Sequence, residues 1–520
     1  MSSFRYDPSA AVAETDRGPV RGYAWHGLNV FKGIPYAAAR RFHAPEPVKK
    51  WKEVLDCTSF GFVCPLLSQD RPRGEIYVPH RYWPADEDCL NLNIWTPGND
   101  LKRRPVLVWL HGGGYSAGSA IEHIAYEGEN MALYGDCVAV TVNHRLNVLG
   151  YLDLSAFGKE YENSGNAGGD DIIAALRWVR DNIAAFGGDP DNVTVFGQSG
   201  GGGKVTTLLQ SPAADGLWHR GINMSGVLGG LMADETHSGE AFVADLAQRL
   251  NLPGIRGLED IPYPLLAKGY MSLSREYAAA GGYTGGRPHR NRFYLGDPVE
   301  VGFRKETAHI PLMVGSVFGE FSSFEPFAFD RSLKDDMARE AIGRLYGVNG
   351  TDKICALFRE AYPERPMMDL LNLDTVFRDP EIAYIRSRSA LNKCTWSYMF
   401  NQDMPVDGGR TPWHCADIPF VFRNTSFTPY TQIDGVTEKL EEQIFGSVMA
   451  FARTGDPNHA SIPRWTASSP EEEVTMIFDA DTRAKVNYDH TLIASAARAQ
   501  AAYYKKMSEK EKARDKNIQH

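Results

Sequence analysis

The sequence predicts an α/β protein in which a mostly parallel, mixed central sheet is flanked by helices. Three observations carry that prediction. Residues 106–110 (VLVWL) and 137–142 (CVAVTV) are short, continuous apolar runs, as strands buried on both faces require. Residues 171–186 place apolar side chains at Ile172, Ala175, Leu176, Val179 and Ile183, the i, i+3, i+4 recurrence of an amphipathic helix. The β-branched run 193–196 follows, and alternation of strand with helix is the signature of a parallel sheet.

The first forty residues alternate β-like runs with turns and end in FKGIPY (31–36), which reads as a small N-terminal antiparallel sheet. Between the two apolar runs, residues 121–134 are compatible with a helix. Gly187 at the C-cap and Pro190 just beyond it end the helix 171–186. Residues 204–210 read as helix, and 310–314 and 394–400 as later strands. Helical excursions fill roughly 230–310 and 325–390, and 439–454 is a further helix. No repeat or Pro- or Ser-rich linker divides the chain, so 1–504 is expected as a single domain, with the charged tail 505–520 fraying.

Composition narrows the function. The chain has 520 residues, 43% of them hydrophobic, and 55 Lys+Arg against 65 Asp+Glu give a formal charge of −10. That balance argues against a nucleic-acid partner, which needs a basic footprint. The N-terminus as given has no signal-peptide pattern, and no run of ~18 apolar residues suggests a transmembrane segment. A cytoplasmic monomer or small homo-oligomer is expected, or a secreted protein if a leader was removed. Seven cysteines without CxxC, and no HExxH, give neither a metal site nor a cofactor site a footing.

The sharpest motif is Gly197-Gln198-Ser199-Gly200-Gly201, a G-x-S-x-G directly after the strand 193–196. A nucleophile on a sharp strand-to-helix turn needs small neighbours, so that the chain can turn and a substrate can approach. His111-Gly112-Gly113-Gly114-Tyr115 follows the strand 106–110, and its glycines let backbone N–H groups face a site unobstructed. Gly113, Gly114 and Gly200 are the candidate oxyanion-hole donors. Two decoys fail. Residues 112–117 fit a loose G-x-G-x-x-A, but no acidic residue ends the next strand to hold a ribose. Residues 200–204 imitate a phosphate loop, but Gln198 replaces its first Gly and Val205 its Ser/Thr.

The chain resembles the type-B carboxylesterases over nearly its whole length. The shared runs are FKGIPY, Arg41-Phe42, EDCLNLNIWTP (87–97), HGGGY, VNHRLNVLGYL (142–152), SGNAGGDD (164–171), FGGDPDNVTVFGQSGGG (186–202) and FARTGDPN (451–458), in the family's order. The resemblance implies an α/β-hydrolase fold and a Ser-His-Glu triad. Ser199 would be the nucleophile, and Glu320 the acid, in the G-x-x-x-x-E setting of residues 315–320, with Glu325 a nearby competitor. His414, in HCADIPFVF (414–422), would be the base. Ser225 resembles a serine that supports the acid from behind. Cys64 and Cys89 coincide with a loop-closing disulfide of secreted relatives, or are reduced thiols here. Arg41 with Glu87, and Arg145 with Asp171 (Asp170 competing), resemble internal ion pairs. The family usually has Glu at 198 and Ala at 200. Gln198 therefore removes a carboxylate that would attract cations, and Trp83 lies too near Cys89 for a choline-binding aromatic and reads as packing. The expectation is a serine carboxylesterase for small, neutral ester substrates. Amide or carbamate hydrolysis on the same triad, or a neuroligin-like binding module without catalysis, are the alternatives.

Overall fold

The structure, a computed structural model, describes residues 11–68, 80–227, 235–321, 335–347, 350–406 and 408–518. Its strands are β1 (Val12–Glu14), β2 (Pro19–Arg21), β3 (Tyr23–Trp25), β4 (Leu28–Pro35), β5 (Leu55–Asp56), β6 (Asn91–Thr96), β7 (Arg104–Leu110), β8 (Val138–Val142), β9 (Gly188–Gln198), β10 (Arg220–Met224), β11 (Leu312–Val317), β12 (Thr395–Phe400), β13 (Val474–Phe478) and β14 (Arg483–Val486). An 11-stranded sheet has the order β14-β13-β12-β11-β10-β9-β7-β8-β6-β4-β3. Its centre, from β8 to β13, is parallel, while β14 and the β6-β4-β3 end are antiparallel. A small N-terminal sheet pairs β1 antiparallel with β2, and β5 joins β2 parallel.

The apolar runs become central strands because both of their faces are covered. Val106, Val108 and Leu110 enter one core with Val138, Val140 and Val195. Leu107 and Trp109 point the other way, to Phe196, Ile222 and Met224. A third cluster lies under helices Asp335–Tyr346 and Thr351–Ala361 and the closing helix His490–Ile518.

Several boundaries differ from expectation for local reasons. Most of the FKGIPY run belongs to β4, which pairs with β6 in the large sheet rather than in the small one. The stretch 121–134 divides into a 3-10 turn, Ile124–Tyr126, and helix Glu129–Gly135. Gly128 between them lies so close to Trp95 that a Cβ there would sit 2.5 Å from the ring. The helix expected from 171 is Ala167–Asn182, and a 3-10 turn, Ile183–Phe186, carries it to Gly187 at φ 75°. Its first turn, with two glycines, shows no apolar period. β11 starts at Leu312 because Pro311 has no N–H to give the ladder.

Buried ion pairs fasten loops to this frame. Arg145 donates to Asp171 at 2.6 and 2.8 Å with both residues buried, while Asp170 takes Asn163 instead. Arg41 makes a partly exposed pair with Glu87. Arg378, on helix Arg378–Leu391, is fully buried and holds Asp489, Glu381 and Glu473 at 2.9, 3.0 and 2.7 Å. Among the described residues no helix is long and apolar enough to cross a membrane.

Removing one partner of a buried pair strands the other charge. Asp171→Asn is expected to cost about 3–5 kcal/mol in urea-unfolding free energy. Asp56→Asn, which breaks the exposed Arg21–Asp56 contact, is expected to cost no more than ~1 kcal/mol. Equal losses in the two variants would contradict this account.

Candidate functional site

β9 ends at Gln198, and Ser199 is the N-cap of helix Gly200–Leu209 with φ 58° and ψ −125°. A non-glycine residue in that region costs about 1–3 kcal/mol unless its surroundings impose it. Here they do. Ser199 N–H donates to Met224 O at 2.8 Å, and Gly203 N–H to Ser199 O at 3.0 Å. The glycines of G-x-S-x-G are required by contact: a Cβ on Gly197 would lie 2.5 Å from the Gly201 carbonyl carbon, and one on Gly201 1.9 Å from Leu110 O. The turn leaves Ser199 half-buried.

The glycine loop lies against this turn. A Cβ on Gly112 would sit 3.4 Å from Ser199 Cβ, and one on Gly200 only 2.1 Å from Gly114 O. Gly113 and Gly114 take φ of 88° and 64°. That closeness accounts for glycine at 200 where the family has Ala, and it brings the backbones of Gly114 and Gly200 together beside Ser199. The loop is braced from behind. The buried ammonium of Lys204 donates to His111 O at 2.9 Å, and Asn147 N–H to Tyr115 O at 2.7 Å. Burial lowers the Lys204 amine to about 7. Burial first, and next the Lys204 charge, hold His111 and His144 well below the usual imidazole range. Lys204 stands in the failed phosphate-loop pattern; its informative feature is a lysine on the buried face of the helix after the serine.

Glu320 is fully buried just beyond β11. Its Oε1 accepts from Ser225 Oγ–H at 2.7 Å and Val317 N–H at 2.9 Å, and its Oε2 accepts from His414 Nδ1. The imidazole is clasped by Phe377 and Phe321, with ring centroids 5.2 and 4.7 Å away. In the sequence Gln198 reads as a neutral residue beside Ser199, placed behind the reacting groups. The Gln198 side chain is fully buried and does not line the cavity beside Ser199. Its Nε2 lies 3.3 Å from His414 Nε2, and its Oε1 accepts from Cys415 Sγ–H at 3.0 Å. Its neutrality therefore acts on the histidine before it acts on a substrate. Burial, together with the charge of Glu320, raises the carboxyls of Asp374 and Asp417 to about 7.

A cavity of about 40 Å³ borders Ser199 and Gly200. Asp297 lines it, a carboxylate that no sequence motif flagged. Cys64 and Cys89 are free, buried thiols, and the hydrogen bond with Cys64 followed by burial keeps the Cys89 thiol well above its usual range. Trp83 packs edge-on against Phe60, centroids 5.5 Å apart. Glu325 lies outside the described residues. No three His, Cys, Asp or Glu side chains group as metal ligands among the described residues.

The sequence matches the Carboxylesterase family over residues 9–494. It is 32% identical over 491 residues to the para-nitrobenzyl esterase of Bacillus subtilis, covering 90% of this chain and 95% of that one. An esterase from Clostridium hathewayi, described as able to hydrolyse aliphatic aromatic polyesters, superposes with a TM-score of 0.92 at 48% identity, covering 96% of this chain and 99% of that one. A Geobacillus stearothermophilus carboxylesterase superposes at 0.73 with 32% identity, covering 93% and 99%.

The Lys204 amine is driven toward its neutral form in the fold but is an ammonium in the unfolded chain up to its ordinary 10.5. The folded state therefore loses stability as pH falls from about 10.5 toward 7, and below that the penalty is constant. Thermal unfolding of the wild type and Lys204→Met between pH 7 and 10 should show the variant gaining relative stability as pH falls. Parallel curves would contradict the burial argument.

Proposed function

Since the chain belongs to the carboxylesterase family and is a carboxylic-ester hydrolase, we propose that it cleaves uncharged esters through an acyl intermediate on Ser199. The observation that carries this reading is the pairing of buried Glu320 with His414 Nδ1. It fixes the tautomer in which Nδ1 carries the proton and leaves Nε2 to act as the base, while the Gln198 amide lies 3.3 Å from Nε2 and 3.4 Å from Nδ1.

In the proposed cycle His414 Nε2 takes the Ser199 hydroxyl proton as Oγ attacks the ester carbonyl. The N–H groups of Gly113, Gly114 and Gly200 receive the developing oxyanion, aided by the positive end of helix Gly200–Leu209. Glu320 stabilises the imidazolium. Collapse passes that proton to the leaving alcohol and leaves Ser199 acylated. Water, deprotonated by His414, then repeats the sequence and releases the acid. Because the leaving oxygen takes its proton from His414, the alcohol arm belongs on the His414 side. Among the described residues, Phe321, 40% exposed, gives that side an apolar surface against the imidazole. The similarity to the Clostridium hathewayi enzyme makes aliphatic aromatic polyesters a substrate worth including in a test.

A panel of p-nitrophenyl esters and an aliphatic aromatic polyester, assayed with wild type and Ser199→Ala, tests the proposal. The alanine variant should lose at least ~10³-fold in kcat. In the same panel, kcat/KM for butyrylcholine should not exceed that for 3,3-dimethylbutyl butyrate. Full activity in the variant, or a clear choline preference, would overturn the corresponding part. Gln198→Glu places a carboxylate against the imidazole and favours its cation, so the rising limb of the kcat/KM–pH profile should move to higher pH. An unmoved limb would contradict the contact's electrostatic role.

A further inference from the structure

We propose that Lys204 is a positioning residue for the oxyanion hole: by holding the His111 carbonyl, its side chain fixes the Gly113 and Gly114 N–H groups relative to that of Gly200. The inference rests on the proposed reading of Ser199 as nucleophile and of these three N–H groups as oxyanion donors.

The hole is assembled from two separate pieces of chain. Gly113 and Gly114 stand on the loop after β7, and Gly200 opens the helix that follows Ser199. Donors must lie within ~2.7–3.1 Å of one oxygen, so the two pieces have to be fixed relative to each other. Packing alone fixes them on one side only. A Cβ on Gly200 would meet Gly114 O at 2.1 Å, so the loop cannot come closer, but nothing in that contact stops it moving away. The three successive glycines 112–114 add to the problem, because each has the backbone freedom that a side chain normally removes.

Lys204 supplies the missing constraint. It lies four residues after Gly200 on the same helix, hence on the same face, one turn further along. Its Nζ donates to His111 O at 2.9 Å. That carbonyl belongs to the peptide joining His111 to Gly112, and a peptide is a rigid plane. Holding its oxygen therefore holds the plane from which the chain enters the turn at Gly113 (φ 88°) and Gly114 (φ 64°). At the far end of the loop, Tyr115 Oη lies 3.2 Å from Thr207 Oγ1 and ties it to the same helix.

For stability alone, a lysine is a poor residue for this place. It is 1% exposed, and burial opposes the charged form of its amine. An apolar side chain of similar length would be buried without that penalty. A side chain that weakens the fold while gripping the loop of the site is explained by what it does for the site.

Steady-state kinetics of Lys204→Met on p-nitrophenyl acetate test the role. Loss of a donor itself costs ~10²-fold or more in kcat, and a residue acting one step behind the donors should cost about 10-fold. Acylation and deacylation both pass through an oxyanion, so they should slow together and leave KM within about twofold. The second readout is the preference for p-nitrophenyl acetate over its thionoacetate. Sulfur is larger than oxygen and a weaker acceptor, so a well-set hole favours the oxygen ester. That preference, a ratio of kcat/KM values within one preparation, does not depend on the folded fraction, and it should shrink about 5-fold in the variant. Lys204→Leu removes the donor with a different shape and should show the same changes, so the test does not hang on one variant's folding. Wild-type kcat, or an unchanged oxygen-over-sulfur preference, in either variant would overturn the positioning role. Undiminished hydrolysis of p-nitrophenyl acetate by Ser199→Ala would instead sink the nucleophile assignment, so the two failures are distinguishable.

Discussion

A buried carboxylate is the constraint on which the rest of this site depends. Taking an isolated carboxylate out of water costs several kcal/mol, and only good geometry with enough donors offsets it. Glu320 finds its donors on separate pieces of chain: Ser225 just after β10, Val317 at the end of β11, and His414 on the loop after β12. They meet at one point because β10 and β11 run parallel with Met224 opposite Gly315, so Ser225 emerges alongside the last residues of β11. The sheet's register is thus part of the site's electrostatics. Nearby Asp374 and Asp417, pushed up to about 7, can share the region without adding full charges to it.

Strain at Ser199 is the complement of that arrangement. The left-handed turn aims the serine out of the sheet, and close packing of backbone on backbone holds it there. Gly197, Gly201 and Gly200 each touch main-chain atoms where a methyl would collide. The glycine loop is in turn fixed from below by Lys204, whose amine has little water to keep it charged. Glu320, His414, Ser199 and the glycine loop are therefore each held by hydrogen bonds and close packing of the fold. Such preorganisation is what electrostatic stabilisation of a transition state demands.

The central strands and the strand-to-helix serine turn were legible because each is a local pattern. Apolar runs such as 106–110 match strands buried on both faces, and G-x-S-x-G states its own steric requirement. The family resemblance supplied Glu320, His414 and Ser225, which the structure brings together on one carboxylate. What was not legible depends on long-range approach. β4 joins the large sheet through β6, sixty residues on. The helix from Ala167 begins on glycines that carry no period. Gln198 gave no sign that its amide faces the histidine rather than the cavity, because that direction is set by Cys415, more than two hundred residues away.

These orientations decide the surroundings of the histidine: His414 lies against two phenylalanine rings and beside the Gln198 amide, with the Glu320 carboxylate on its Nδ1. A low-dielectric surround strengthens the Glu320–imidazolium attraction at the moment the proton is in transit.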